Sequence, residues 1–332
     1  MAPSGPLCAR VSEDPNQAPE AVPSASGQKL RGVVLCAQSG FFTVRTPEGD
    51  ITCRMRGRLK KERVRTDLAV IGDDVELERT EEDRGVLTRV HPRRSCLSRL
   101  HPSSRGDKKQ IEDVIVANLD RVVAVFSASI PEMNPRLVDR FLVIAEHADV
   151  ESILVLTKLD EADEDETRAR IRVYEELGYR VLFTSARDGR GLDELSGLLR
   201  EGISALVGPS GVGKSSILNA LQPELGLAVG DLSDLHRKGK HTTRVAQLHS
   251  YREGFIADTP GIRELAAFAI PARDLARAFP DLRAYIDDCQ FGDCLHHKER
   301  GCAVLRALQE GRLHPERYDS YLRQLRGDDG RA

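Results

Sequence analysis

The stretch ISALVGPSGVGKSSILNAL, residues 203–221, decides the fold. Ile203 to Val207 form a short apolar run that reads as a buried strand. Gly208, Pro209, Ser210, Gly211, Val212, Gly213, Lys214 and Ser215 then match G-x-x-x-x-G-K-S in full, and Ser216 opens a helix-period segment. Each residue type has a physical reason to be there. The glycines let successive backbone N–H groups converge on a phosphate at a helix N-terminus, where the helix dipole also favours negative charge. Lys214 reaches the β- and γ-oxygens of a nucleoside triphosphate and serves catalysis, while the Ser215 hydroxyl is placed to ligate Mg²⁺.

Outward from this loop, short apolar strands alternate with helical segments. RVVAVFSA (121–128), ESILVLT (151–157) and RVLFTSA (180–186) are separated by PRLVDRFLVIAEHA (135–148), DETRARIRVYEELG (165–178) and LDELSGLL (192–199). That rhythm predicts an α/β domain with a doubly wound parallel sheet covered on both faces, over residues 118–267. Two later strands, TRVAQLHS (243–250) and GFIADT (254–259), complete it.

Strand ends carry the remaining nucleotide chemistry. Thr157, Lys158 and Asp160 stand in TKLD at the end of ILVL. A carboxylate at Asp160 accepts from the guanine N1–H and exocyclic amino group, a donor pair adenine lacks, and Lys158 lies across the base plane. Ser185 and Ala186, in TSA at the next strand end, supply backbone for the base O6. Asp258 and Gly261 of DTPG occupy the Mg²⁺-side and γ-phosphate positions of a P-loop NTPase. The expected ligands are therefore GTP or GDP with Mg²⁺. TKLD and TSA precede GPSGVGKS, which precedes DTPG, so the domain is circularly permuted relative to the usual order. Every loop still sits at a strand C-terminal end, and one sheet can gather all four around a nucleotide.

Between the phosphate-loop helix and DTPG lies HRKGKHTTRVAQ (236–247), the position of a switch loop. Thr243, or alternatively Thr242, offers a hydroxyl to Mg²⁺. Ile262 stands where many GTPases carry a water-orienting glutamine, so His241 is the candidate for positioning water, and slow intrinsic turnover is expected.

The chain has 332 residues, 49 Lys+Arg against 52 Asp+Glu and a net charge of −3, which suits a soluble protein of two or three domains. Overall charge names no partner, and with no Trp an extended stacking surface is not expected. Local basic clusters carry any nucleic-acid contact. Five β-rich runs between Leu30 and Val90 suggest a small barrel, of OB or SH3-like type. Arg54, Arg56, Arg58, Lys60, Lys61, Arg63 and Arg65 line one part of it, and Arg93, Arg94, Arg99, Arg105, Lys108 and Lys109 follow. These clusters read either as solvated faces or as an RNA-phosphate surface.

Three of the seven cysteines fall within fourteen residues, as Cys289-x₄-Cys294-x-His296-x₅-Cys302. A Cys₃His set is a closed tetrahedral arrangement suited to one structural Zn²⁺, with His297 the alternative to His296. The surrounding PARDLARAFPDLRAYIDD (271–288), CAVLRALQEG (302–311) and ERYDSYLRQLRG (316–327) read as helices. The scattered cysteines, the missing apolar h-region and the lack of a membrane-length apolar run predict a reduced, cytoplasmic protein.

With these residues in hand, the chain resembles the RsgA (YjeQ) family of circularly permuted GTPases that depend on the small ribosomal subunit. The resemblance rests on the order TKLD, TSA, GPSGVGKSS, GKHTT, DTPG, on the preceding barrel and on the cysteine–histidine cluster, over about residues 28–325. It implies an RNA-binding OB-fold barrel (29–92), the permuted GTPase domain (118–267) and a helical zinc-binding domain (268–332). Composition makes residues 1–28 a disordered Pro-rich tail, and charge makes 93–117 a basic linker. The resemblance also implies a monomer that binds the small subunit and its rRNA, away from membranes, and couples GTP hydrolysis late in maturation to release of assembly factors. The family's catalytic histidine falls on His241 and its switch threonine on Thr243. Thr157, where many GTPases have Asn, is expected to lose the amide that ties the base loop to the phosphate loop. The rivals are an ATP-dependent kinase or ATPase, disfavoured by Asp160, and an rRNA-binding scaffold with GTP as a structural ligand, which Ile262 favours.

Overall fold

The computed structural model describes residues 28–56, 69–100, 112–223, 246–258 and 270–327. The expected tail, the basic residues from Arg58 to Arg65, Arg105, Lys108 and Lys109, the switch-loop residues His241, Thr242 and Thr243, and Gly261 and Ile262 lie outside these residues.

Five strands, β1 (Lys29–Gln38), β2 (Phe41–Thr46), β3 (Gly49–Met55), β4 (Asp74–Glu81) and β5 (Arg84–Val90), close a barrel in the order β1-β2-β3-β5-β4 and back to β1. Every pair is antiparallel except β3 with β5. This is the OB-type Greek-key closure, so the SH3-like alternative falls away. Alternation fills the interior, with Ile51, Cys53 and Met55 of β3 buried beside Val75 and Leu77 of β4, while the intervening positions face outward.

The segment expected as a basic linker is instead a hairpin of β6 (Cys96–Leu100) and β7 (Glu112–Ala117). Its charge disguised the apolar positions Leu97, Val114 and Val116, which are buried. Asn118 follows it and binds both sides of the junction, donating to the Gly72 carbonyl at 2.9 Å and accepting from the Arg94 N–H at 2.9 Å. Gly72 adopts φ +86°, and a Cβ there would lie 2.0 Å from the Ala117 carbonyl oxygen, so only glycine allows this approach.

The α/β domain runs β8 (Arg121–Ser127), α1 (Pro135–His147), β9 (Glu151–Thr157), α2 (Glu164–Glu176), β10 (Arg180–Phe183), α3 (Leu192–Leu199), β11 (Ile203–Val207), α4 (Lys214–Leu221), β12 (Gln247–Tyr251) and β13 (Gly254–Asp258). The strand order is β10-β9-β8-β11-β13-β12. Parity along β8 builds both faces: Val122, Ala124 and Phe126 pack with α1 and α2, and Val123 and Val125 pack with α3 and α4. The expectation of a parallel sheet fails at its β12 edge. β12 and β13 are joined by the two-residue turn Arg252–Glu253, which forces an antiparallel pair. β12 also pairs with β1 at Gln247 and Cys36, and Arg45 donates to the Ser250 hydroxyl at 3.0 Å, so barrel and α/β domain share one sheet.

The C-terminal segment consists of α5 (Ala272–Leu275), α6 (Pro280–Arg283), α7 (Ala303–Gln309) and α8 (Pro315–Arg326). The single helix expected over 271–288 is broken, because Pro280 cannot continue a helix and Phe279 before it is extended. Residues 276–278 and 286–288 form 3₁₀ turns instead. Among the described residues no helix is long and apolar enough to cross a membrane.

α1 ties this segment to the sheet. Residues 138–145 of α1 are buried without interruption, and Val143 packs with Phe279, Leu282 and Tyr321 rather than with the sheet. Arg317 of α8, 2% exposed, donates to Asp139 of α1 and to Asp281 at 2.9 and 3.2 Å, and Tyr174 of α2 donates to Asp139 at 3.0 Å. Arg317→Leu strands the buried Asp139 carboxylate and leaves the half-buried Asp281 unpaired with Arg317, and the expected cost is about 3–5 kcal/mol in urea unfolding followed by circular dichroism. A loss below about 1 kcal/mol would show that water reaches this network.

Candidate functional site

Three loops described here converge at the C-terminal ends of β9, β10 and β11. The phosphate loop follows β11. Gly208, Gly211 and Gly213 take φ +144°, +78° and +99°, and a Cβ on Gly208 would sit 2.1 Å from the Val125 carbonyl oxygen. The glycine spacing thus serves the backbone as well as the ligand. Lys214 begins α4, with its ammonium folded back on the Gly208 carbonyl at 2.8 Å and the Pro209 carbonyl at 2.5 Å. A triphosphate must draw it off these oxygens. Ser210 is exposed on the loop, Val212 and Ser215 are buried, and Ser216 is half-buried.

TKLD ends β9 directly beside this loop. The Thr157 hydroxyl donates to the Val212 carbonyl oxygen, and the Lys158 ammonium donates to Gly211 at 2.8 Å and to Ile130 at 2.5 Å. The expected loss of a tie at Thr157 is therefore corrected: a hydroxyl makes the connection that an amide was thought to require. Asp160 is positioned from β10, where the Ser185 hydroxyl donates to its Oδ1 at 2.7 Å, and Arg187 lies 3.8 Å from its Oδ2. The Ser185 N–H is spent on the Arg190 carbonyl at 3.0 Å, and Ala186 beside it is half-buried. Asp258 closes β13, which pairs in parallel with β11, so its backbone lies next to the strand feeding the phosphate loop. Sequence reasoning missed Ile130, whose carbonyl holds Lys158. No motif marks a backbone acceptor.

The second constellation lies between α6 and α8. Donor atoms of Cys289, Cys294, His296 and Cys302 all fall within 4.8 Å of one another. The Cys289 and Cys302 sulfurs are 4.0 Å apart and lie 3.4 and 3.5 Å from His296 Nδ1. Tetrahedral bonds of about 2.3 Å to sulfur and about 2.0 Å to nitrogen give edges of about 3.8 and 3.5 Å, so the donors fit such a cation. Burial pushes the Cys294 thiol up to about 12 and holds the His296 imidazole below its ordinary value. A bound cation reverses the first effect and exploits the second, since it takes thiolates and neutral imidazole. His297, the alternative ligand, points away: its Nε2 lies 3.1 Å from the Arg326 guanidinium.

Several groups that the sequence did not disclose hold this knot. Tyr318 and Tyr321 of α8 donate to the carbonyls of His296 and Leu295 at 2.8 and 2.6 Å. N–H groups of Ala303 and Leu305 approach the Cys289 and Cys302 sulfurs at 3.4 and 3.5 Å. Glu299 gathers the N–H groups of Leu295, His297 and Lys298 at 3.1, 2.8 and 3.0 Å, shaping the turn in which His296 takes φ +54°.

Comparison with known proteins follows this geometry. Residues 90–268 match the family RsgA GTPase, and residues 31–87 match RsgA N-terminal domain. The chain is 41% identical, over 88% of its length and 95% of the relative's, to the small ribosomal subunit biogenesis GTPase RsgA of Gemmatimonas aurantiaca. It is 38% identical to the same-named protein of Moorella thermoacetica, over 88% of this chain and 95% of the other. Among solved structures, YjeQ from Thermotoga maritima superposes with a TM-score of 0.71 at 32% identity, covering 92% of this chain and all of the other. YloQ, described as a circularly permuted GTPase, gives 0.68 at 30% identity over 92% of this chain and 96% of its own.

Glu299 yields a pH prediction. Burial pushes its carboxyl up, but the backbone N–H groups outweigh that and hold it down at about 2 against an ordinary 4.5. Its contribution to stability is therefore present above pH 4.5 and lost as pH falls toward about 2. Glu299→Gln is expected to lower the urea midpoint at pH 7, and the gap to wild type closes across that acidic range.

Proposed function

Because the chain belongs to the RsgA GTPase family, we propose that it binds the small ribosomal subunit and hydrolyses GTP there during late maturation, coupling hydrolysis to departure of assembly factors. GTP hydrolysis is the family's activity; the partner and the timing are our inference. The observation that carries this reading is the bracing of the base loop against the phosphate loop, by Thr157 on Val212 and Lys158 on Gly211, with Asp160 oriented by Ser185.

In this reading Asp160 accepts from the guanine N1–H and amino group, and Lys158 covers the base. The Ala186 N–H meets O6, since that of Ser185 is already used. The N–H groups from Ser210 to Ser216 surround the phosphates, and Lys214 leaves its carbonyl partners for the β- and γ-oxygens. Ser215, Thr243 and Asp258 would hold Mg²⁺, which neutralises charge developing on the transferred phosphoryl group. His241 positions the attacking water in place of the glutamine that Ile262 excludes, and Gly261 senses the γ-phosphate. Cys289, Cys294, His296 and Cys302 would hold one zinc, which folds the C-terminal segment and takes no part in hydrolysis.

The barrel supplies an rRNA contact. Phe41 is exposed on β2 with the Arg54 guanidinium 4.6 Å from its ring centre, a pairing that offers a base both a stacking face and a positive charge. Arg56 and Arg94 are exposed as well, each beside a carboxylate, Glu78 and Asp120, whereas Arg93 is turned inward onto the buried Asp73 and adds nothing to this surface.

GTP and ATP hydrolysis by the purified chain, with and without small subunits at fixed salt, tests this function. Stimulation of GTP hydrolysis above about tenfold is expected, with none for ATP. His241→Ala should keep GTP binding and lose the stimulation. Asp160→Asn should move the preference from guanine to xanthine nucleotides. Tight GTP binding without stimulation would favour the scaffold reading. The purified chain should also carry about one zinc by mass spectrometry, and its removal should melt the C-terminal helices.

A further inference from the structure

Thr157 stands at the meeting of the base-reading and phosphate loops, and its chemistry limits what the site can recognise. A hydroxyl has a single proton, and here it is given to the Val212 carbonyl oxygen. The side chain is 2% exposed and wedged against the phosphate loop, its Oγ1 lying 3.5 Å from where a Cβ on Gly213 would be. Lys158 next to it has committed two N–H bonds to the Ile130 and Gly211 carbonyls. Ser185 has spent both its N–H, on Arg190, and its hydroxyl, on Asp160.

Guanine shows donors on one edge, N1–H and the amino group, and acceptors on the other, O6 and N7. Asp160 suits the donors, and the Ala186 N–H suits O6. N7 needs a further donor. Among the described residues the Thr157 proton and the Ser185 N–H and hydroxyl are engaged inside the protein, and Lys158, with two of its three N–H bonds on carbonyls, keeps the third for the face of the base rather than its N7 edge. We propose that Thr157 is a positioning residue that braces the base loop to the phosphate loop, and that this GTPase consequently selects guanine without reading N7. The inference rests on the base-site assignment made above.

An amide at the same place has two N–H bonds, one for the Val212 carbonyl and one to spare. Thr157→Asn therefore turns an N7-blind site into one that reads N7. Thr157→Val keeps the shape and removes the brace.

The test measures Kd values of GTP and 7-deaza-GTP, in which a C–H replaces N7, on the full chain by competition with a fluorescent GDP. Wild type is expected to bind the two within about twofold, and Thr157→Asn to favour GTP by about three- to tenfold, the worth of one neutral hydrogen bond. Thr157→Val should weaken both nucleotides by a common factor of about three to ten, with Thr157→Ser restoring them. A wild-type preference for GTP of fivefold or more would overturn the N7 inference, and unchanged affinities in Thr157→Val would overturn the brace. Failure of the base-site assignment looks different: Asp160→Asn would then keep its guanine preference, whatever the 7-deaza ratio.

Discussion

A guanidinium buried almost completely holds this molecule together. Arg317 reaches from α8 into the space between α1 and α6 and satisfies Asp139 and Asp281 at once, with the face of Phe279 4.9 Å away. The cation and the deeper carboxylate are stable there only together, because removing Arg317 leaves the Asp139 charge buried without a counter-ion. The network takes in Tyr174 of α2, so both helices on one face of the sheet are tied to the C-terminal segment. Asp139 lies on the same α1 whose Phe141 and Leu142 pack on the sheet. The cysteine–histidine knot is thereby referenced to the nucleotide-binding sheet through one helix rather than hung from its end by a chain linkage.

The same economy explains why circular permutation is tolerated. A nucleotide does not encounter chain order; it encounters the ends of β9, β10, β11 and β13, and those ends lie on one edge whichever loop comes first. What must survive the cut is the mutual spacing of the loops. Thr157 and Lys158 maintain it by bonding to the carbonyls of Val212 and Gly211, residues more than fifty positions away in the chain. The folded-back Lys214 shows the complementary feature, a cation that satisfies its own loop until phosphate oxygens replace the carbonyls.

Much of this was legible in the sequence wherever the signal was local. The strand–helix rhythm, the phosphate loop and a ligand set confined to fourteen residues each carry their chemistry in consecutive positions. Elements decided by distant contacts were not legible. Arg317 and Asp139 lie 178 residues apart, and nothing near either one announces a partner. Comparing Thr157 with asparagine suggested a lost tie, because the proximity of the Val212 carbonyl is a tertiary fact. The β6–β7 hairpin was hidden by its charge, which resembles that of a linker until Leu97 and Val116 are seen to be buried. Which of two adjacent histidines faces the sulfurs followed only from the left-handed turn at His296 that Glu299 shapes.

The pairing of β1 with β12 has a consequence for solubility. In a six-stranded sheet ordered β10-β9-β8-β11-β13-β12, β12 is a terminal strand with backbone groups turned outward, the kind of rim on which sheets of different molecules grow together. The barrel's first strand covers the start of that rim, and Arg45 fastens the flank to Ser250. At the opposite rim, β10 is only four residues long and begins with an arginine, a poor template for a second chain. Among the described residues the barrel thus caps the start of the five-residue edge strand of the G domain, where a second sheet would otherwise find open backbone groups.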